Sequence, residues 1–134
     1  MEINWLATVL AIVAGMAVAM VWYGKVFLAI WQRLTGIAPE DSKKASRKNM
    51  VQLLIANSVT AVGLAFGEAI ASKAFDDDTV WPALLVSFGA WLTFSATTLL
   101  QHNAFELKPP KLTLVNCAYQ LVLFLAMALV IGLL

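Results

Sequence analysis

The residues able to do chemistry gather toward one end of an otherwise apolar chain. Thr98, His102 and Glu106 follow a four-residue step, which puts them on one helix face. An imidazole with a carboxylate one turn away would exchange a proton near neutral pH. Ionisable groups within apolar spans are functional hypotheses by default, because placing them in lipid is costly. The alternative is that both residues sit at the membrane surface, solvated or capping a loop. Asn116 and Gln120 repeat the four-residue step with Tyr119 beside them, and Asn57 lies early in another apolar run. Their chemistry is hydrogen bonding, either to a ligand or to a neighbouring helix. Trp22 and Tyr23 close the first apolar run and serve as ligand contacts or as anchors in an interfacial aromatic belt. The candidate binding set is therefore His102, Glu106, Asn116, Gln120, Tyr119, Asn57, Trp22 and Tyr23. Glu68 is a weaker candidate, able to pair with Lys73, and Cys117 reads as a small apolar filler.

Catalysis finds little support in these residue types. One His and one Cys cannot build a multi-His or paired-Cys metal site. Neither a nucleophile elbow, a P-loop nor a dinucleotide-binding glycine pattern is present. The expectation is a protein that is not an enzyme, with no catalytic residues, no bound metal and no cofactor.

The elements that must carry these residues are four apolar runs, placed at about 5–24, 50–72, 80–103 and 111–134. Each is near the roughly 20 residues that cross about 30 Å of hydrocarbon. Lipid offers no water to unpaired backbone groups, so runs of this kind are helices. Composition agrees: 61% hydrophobic and 13% charged, with a mean hydropathy of +0.82. An ordinary soluble domain has about 25% charged residues. The expected fold is all-α, an integral membrane four-helix bundle forming a single transmembrane domain, with an amphipathic loop over 25–49.

Charge sets the expected orientation. Eight of the nine Lys and Arg residues fall on one side of this pattern: Lys25, Arg33, Lys43, Lys44, Arg47, Lys48, Lys108 and Lys111. Lys73 alone lies on the other, beside Asp76, Asp77 and Asp78. Short basic loops stay in the cytoplasm, which places both termini outside and suggests a bacterial inner membrane. Residues 31–49 carry five basic and two acidic side chains, net +3, enough to attract anionic lipid but no nucleic-acid footprint. Met1-Glu2-Ile3-Asn4 lacks a basic n-region, so the first span is expected to be retained.

Packing signals run along two spans. Ala7, Ala11, Gly15 and Ala19 form a small-residue stripe, and Gly63 with Gly67 forms a GxxxG. Both allow close helix approach, within the chain or between copies. Apolar character continues past Lys25 to Trp31 as a surface-lying extension, then breaks at Leu34–Pro39. Pro39-Glu40-Asp41 suits a helix start, and Pro109-Pro110 separates the last two spans. Because Gln52, Asn57, Ser95, Thr98, His102, Glu106, Asn116 and Gln120 all fall in the cytoplasmic half, they are expected to meet around a polar cavity open to the cytoplasm.

The chain resembles the bacterial membrane family known as domain of unknown function 1761. The resemblance rests on Asn4-Trp5-Leu6, on Trp22-Tyr23-Gly24 followed by Trp31 and Leu34-Thr35-Gly36, and on the acidic-then-basic lead into the second span. Thr97–His102, Phe105-Glu106, and Asn116 followed by Tyr119 complete it. The resemblance implies four spans over essentially the full length. It draws attention to Trp22, Tyr23, His102, Glu106, Asn116 and Tyr119 without supplying an activity. The functional expectation is a self-associating membrane protein that binds or conducts a small solute, ion or lipid, a transport-type role. The alternative is an accessory subunit of a larger membrane complex. Expected partners are membrane lipid and either a homo-oligomer or a partner membrane subunit.

Overall fold

The computed structural model describes residues 2–134, and among them the regular structure is all helical. Helix α1 (Trp5–Val21) starts at Asn4, whose side chain accepts the Ala7 N–H at 3.0 Å, capping one of the orphan amides of the first turn. It runs into a π-helical turn (Trp22–Val26), and then short helix α2 (Leu28–Thr35) ends at Gly36, which takes a left-handed φ of 69°. Such a C-terminal position favours glycine because it has no Cβ to clash. Helix α3 (Pro39–Phe75) begins with Pro in its first turn and Glu40 and Asp41 at its positive end. Its 37 residues make a rod of about 55 Å. The acidic turn that follows is held by Ser72, whose hydroxyl donates to the Asp77 carbonyl at 2.6 Å. The Asp77 carboxylate accepts from the Thr79 hydroxyl and backbone N–H, which holds it below the usual carboxylate range.

Helix α4 (Trp81–Ala90), a second π-helical turn (Trp91–Ala96) and α5 (Thr97–Phe105) form one continuous third span. Helix α6 (Pro110–Leu133) is the fourth. Four helical stretches are long and apolar enough to cross a membrane: Trp5–Val26, Pro39–Phe75, Trp81–Phe105 and Pro110–Leu133. Residues 25–49 do not form a loop. They hold the end of the first π turn, all of α2 and the first eleven residues of α3.

The spans close into a ring in which α1 touches α3, α3 touches α4, α4 touches α6, and α6 returns to α1 with the most extensive contact of all. Apolar burial gives little drive between helices in lipid, so close van der Waals packing must hold them. The stripe Ala7, Ala11, Gly15, Ala19 is buried and supplies that closeness. A Cβ on Gly15 would lie 2.5 Å from the Met127 Cε and 2.9 Å from the Leu123 Cδ1, so any larger residue would force these α6 side chains to shift. Around this contact lie Ala61, Leu64, Ala65, Tyr119, Leu123, Met127 and Ile131. The GxxxG pair divides: Gly67 packs against Val86 of α4, whereas Gly63 faces open space. One close approach carries no periodic warning: Gly132 sits against Val80 and Ala83 near the start of α4.

The bundle has two chemically distinct ends. The basic end holds Lys25, Arg33, Lys108 and Lys111, and the acidic end holds Asp76–Asp78. At the acidic end Trp5 meets Phe66 edge to face, with centroids 6.3 Å apart.

Candidate functional site

The first π turn explains how two adjacent aromatic residues both reach the interior. A π turn inserts an extra residue per hydrogen-bonded loop and shifts the helix phase after it. Trp22 and Tyr23 are accordingly both partly buried and both pack on the core. Tyr23 donates its hydroxyl to the Asn116 Oδ1 at 2.6 Å, tying the end of the first span to the first turns of α6. The Tyr23 ring lies 4.8 Å from that of Tyr119 and 6.2 Å from Trp31 of α2. Trp22 lies 4.4 Å from Phe27 and 6.4 Å from Tyr119. The result is an aromatic knot of Trp22, Tyr23, Phe27, Trp31 and Tyr119 at the basic end.

Within this knot two polar atoms are left over. The Trp22 indole N–H and the Tyr119 hydroxyl are buried and have no hydrogen-bond partner among the described residues. Buried polar groups are nearly always paired, so each unpaired one calls for a water, an ion or a ligand group. Beside the knot, between α2 and the turn joining α5 to α6, lies a cavity of about 440 Å³. Asn116 lines it together with Trp31, Thr35, Lys108 and Leu112. The Asn116 amide nitrogen makes no hydrogen bond among the described residues, so the group that anchors Tyr23 still has donors to offer. Leu107, which also lines the cavity, holds a left-handed φ of 56° that leucine rarely adopts. Leu107 thus bends the chain around the cavity rim.

The remaining candidates are placed differently. Thr98, His102 and Glu106 share a face as their spacing requires, but that face points away from the bundle and all three are exposed. Asn103 takes the inward position instead and donates to the Thr113 hydroxyl at 3.0 Å. Glu106 pairs with Lys108 at 3.0 Å, out in the open. Asn57 is buried, yet it sits beside Gly15 and donates to the Met16 sulfur at 3.3 Å, away from the aromatic knot. Gln120 is half-buried and makes no hydrogen bond among the described residues. Gln52 is exposed, and Glu68 makes no ion pair among the described residues. The expected single polar cluster is therefore replaced by a smaller one. Trp22, Tyr23, Asn116 and Tyr119 come together; His102, Glu106, Asn57 and Gln120 do not join them.

The polar inner half of the third span has its own explanation. Thr93, Thr97 and Thr98 donate their hydroxyls to the carbonyls of Gly89, Thr93 and Phe94, each four residues back. These bonds flank the second π turn, where the regular ladder opens and carbonyls need partners. Trp91 in that turn reaches across to the Cys117 carbonyl at 2.9 Å, and the Cys117 thiol approaches the Ala96 carbonyl at 3.9 Å. These threonines serve the backbone rather than a ligand. Trp31, Leu107 and the Trp91–Cys117 contact carried no spacing signal. Of these, only Trp31 is marked in the sequence, as one of the residues that carry the family resemblance.

Comparison with families of related chains gives one finding. The model of a family described as "Protein of unknown function (DUF1761)" matches residues 6–132. Comparisons with curated proteins and with solved structures give no match.

Proposed function

The chain belongs to the DUF1761 family as a small membrane protein, and from that premise we propose that it binds a small polar solute in the cavity at its basic end. One observation carries this reading. Asn116 lines the cavity with free donors and is fixed by Tyr23, whose aromatic knot also holds the unpartnered Tyr119 hydroxyl and Trp22 N–H. A ligand with hydrogen-bond acceptors would satisfy Asn116 at the floor, while Trp31 and Leu112 would cover its apolar part. Binding fits better than conduction through one subunit, because Leu123 and Met127 fill the centre of the ring. No catalytic step is part of this reading.

Native mass spectrometry of gently extracted protein tests it. Wild-type protein is expected to carry a retained small molecule, and Asn116→Leu is expected to lose it. Wild-type protein that emerges bare, or an adduct equally retained by Asn116→Leu, would defeat the assignment.

A second reading, self-association or docking on a partner subunit, is favoured by Gly63. This small residue faces open space beside the half-buried Thr60 and exposed Ala56, where another helix could approach closely.

The orientation belongs to the same proposal: the basic end in the cytoplasm and both termini outside, in a bacterial inner membrane. In a Cys117→Ala background, Asp78→Cys is expected to react with a membrane-impermeant thiol reagent in intact cells, and Ser46→Cys is not. Both positions are exposed, so the reverse labelling pattern would invert the topology.

A further inference from the structure

A second feature at the basic end adjoins the cavity at Asn116, sharing only Leu34 with it. A groove of about 330 Å³ runs between α2 and the beginning of α6. Its walls are Ile30, Leu34, Leu114 and Val115, and two cations, Arg33 and Lys111, stand on it. Both cations are exposed, and neither makes an ion pair among the described residues. The salt bridge at this end, Glu106 with Lys108, leaves them out. No carboxylate lines the groove among the described residues. The geometry points to one occupant: we propose that this groove binds an anionic phospholipid, its phosphate between Arg33 and Lys111 and an acyl chain along Ile30, Leu34, Leu114 and Val115.

The chemistry fits a lipid more closely than a free anion. A guanidinium offers paired donors to phosphate oxygens, and an ammonium adds a compact charge. Two such groups over an apolar groove match a headgroup joined to a hydrocarbon chain, and basic grooves between spans at a membrane surface suit anionic headgroups. α2 positions Arg33 there because the π turn and Phe27 turn the chain out of the first span, while Gly36 ends the helix after two turns. Lys111 is held by the Pro110 start of α6. Solute binding at Asn116 is not required for any of this.

The test uses purified full-length protein in detergent, titrated with phosphatidylglycerol or with phosphatidylcholine of the same acyl chains, and read by native mass spectrometry. Wild-type protein is expected to take up phosphatidylglycerol at about tenfold lower concentration than phosphatidylcholine. The Arg33→Gln, Lys111→Gln double variant is expected to bind the two alike. A Lys43→Gln, Lys44→Gln variant, which removes two exposed cations from α3 instead, is expected to keep the preference. Equal uptake by wild-type protein, or a preference that survives the Arg33 and Lys111 changes, overturns the proposal. So does displacement of the bound lipid by inorganic phosphate or by glycerophosphoglycerol, which would show that the headgroup alone is recognised.

Discussion

Gly15→Leu is expected to destroy the folded bundle. The new side chain would begin 2.5 Å from the Met127 Cε, 2.9 Å from the Leu123 Cδ1 and 3.3 Å from the Asn57 Nδ2. The first two are ends of flexible side chains, but Leu123 and Met127 are fully buried and have nowhere to go. Overpacking of a filled core costs about 3 kcal/mol at the upper end of the usual range. Here the clash sits on the most extensive helix contact in the chain. Most of the stability of a membrane bundle lies in such contacts, since lipid wets separated helices as well as neighbours do. Gly63→Leu is the matched control: its Cβ meets nothing, so folded stability should change by no more than about 0.5 kcal/mol. Thermal unfolding in detergent, followed by size-exclusion chromatography, reads both. A Gly15→Leu protein as stable as wild type would refute the α1–α6 packing. A smaller assembly with unchanged stability in Gly63→Leu would assign its open face to contacts between chains.

Asn116→Leu should cost about 2 kcal/mol, and Tyr23→Phe added to it should recover most of that loss. The asymmetry follows from what each change leaves behind. Leucine at 116 strands the Tyr23 hydroxyl in an apolar knot that already holds the unpartnered Tyr119 hydroxyl. Phenylalanine at 23 removes that stranded group, and replacing both partners of a hydrogen bond by apolar groups is often nearly neutral. Tyr23→Phe alone should cost less, about 0.5–1 kcal/mol, because Asn116 lines an open cavity where water can take the vacant position. The double-mutant cycle from thermal unfolding measures the coupling directly. Additive losses in the double variant would mean that the Tyr23–Asn116 bond does not join the first span to α6.

The spans and the face of α1 that admits a close neighbour were legible because their signals are local, but whether that neighbour lay in the same chain or another copy was not. A run of apolar residues has only one way to satisfy its backbone in lipid, and Ala7, Ala11, Gly15 and Ala19 leave only one face for a neighbour to approach. The direction of polar faces was not legible. Thr98, His102 and Glu106 were placed on one stripe by their spacing, but spacing alone says nothing of where that stripe points. Polar residues lie on several faces of this inner half, Thr97, Gln101 and Asn103 among them, so no single polar face stands out against an apolar one. The π turn at Trp91–Ala96 then alters the helix phase ahead of His102, and Asn103 turns inward instead. Similarly, a run of six apolar residues after Lys25 announces a surface helix. Nothing in that run announces that Trp31 will return to meet Tyr23. Such contacts depend on a turn whose extra residue leaves no compositional mark.

Helix α3 continues without a break from the lipid-length portion into the charged segment, and no residue before Asn57 is fully buried. Its first twelve residues, Pro39–Met50, form an arm of about 18 Å that extends beyond the ring. Mechanically this is a cantilever: it is rigid along its length and clamped only at the root. Tilting the span by about 5° would swing the tip by about 1.5 Å, whereas a flexible tether would absorb such a motion. Whatever grips Lys43, Lys44, Arg47 or Lys48 therefore applies a torque to the face of α3 that packs against Gly15 and Val86.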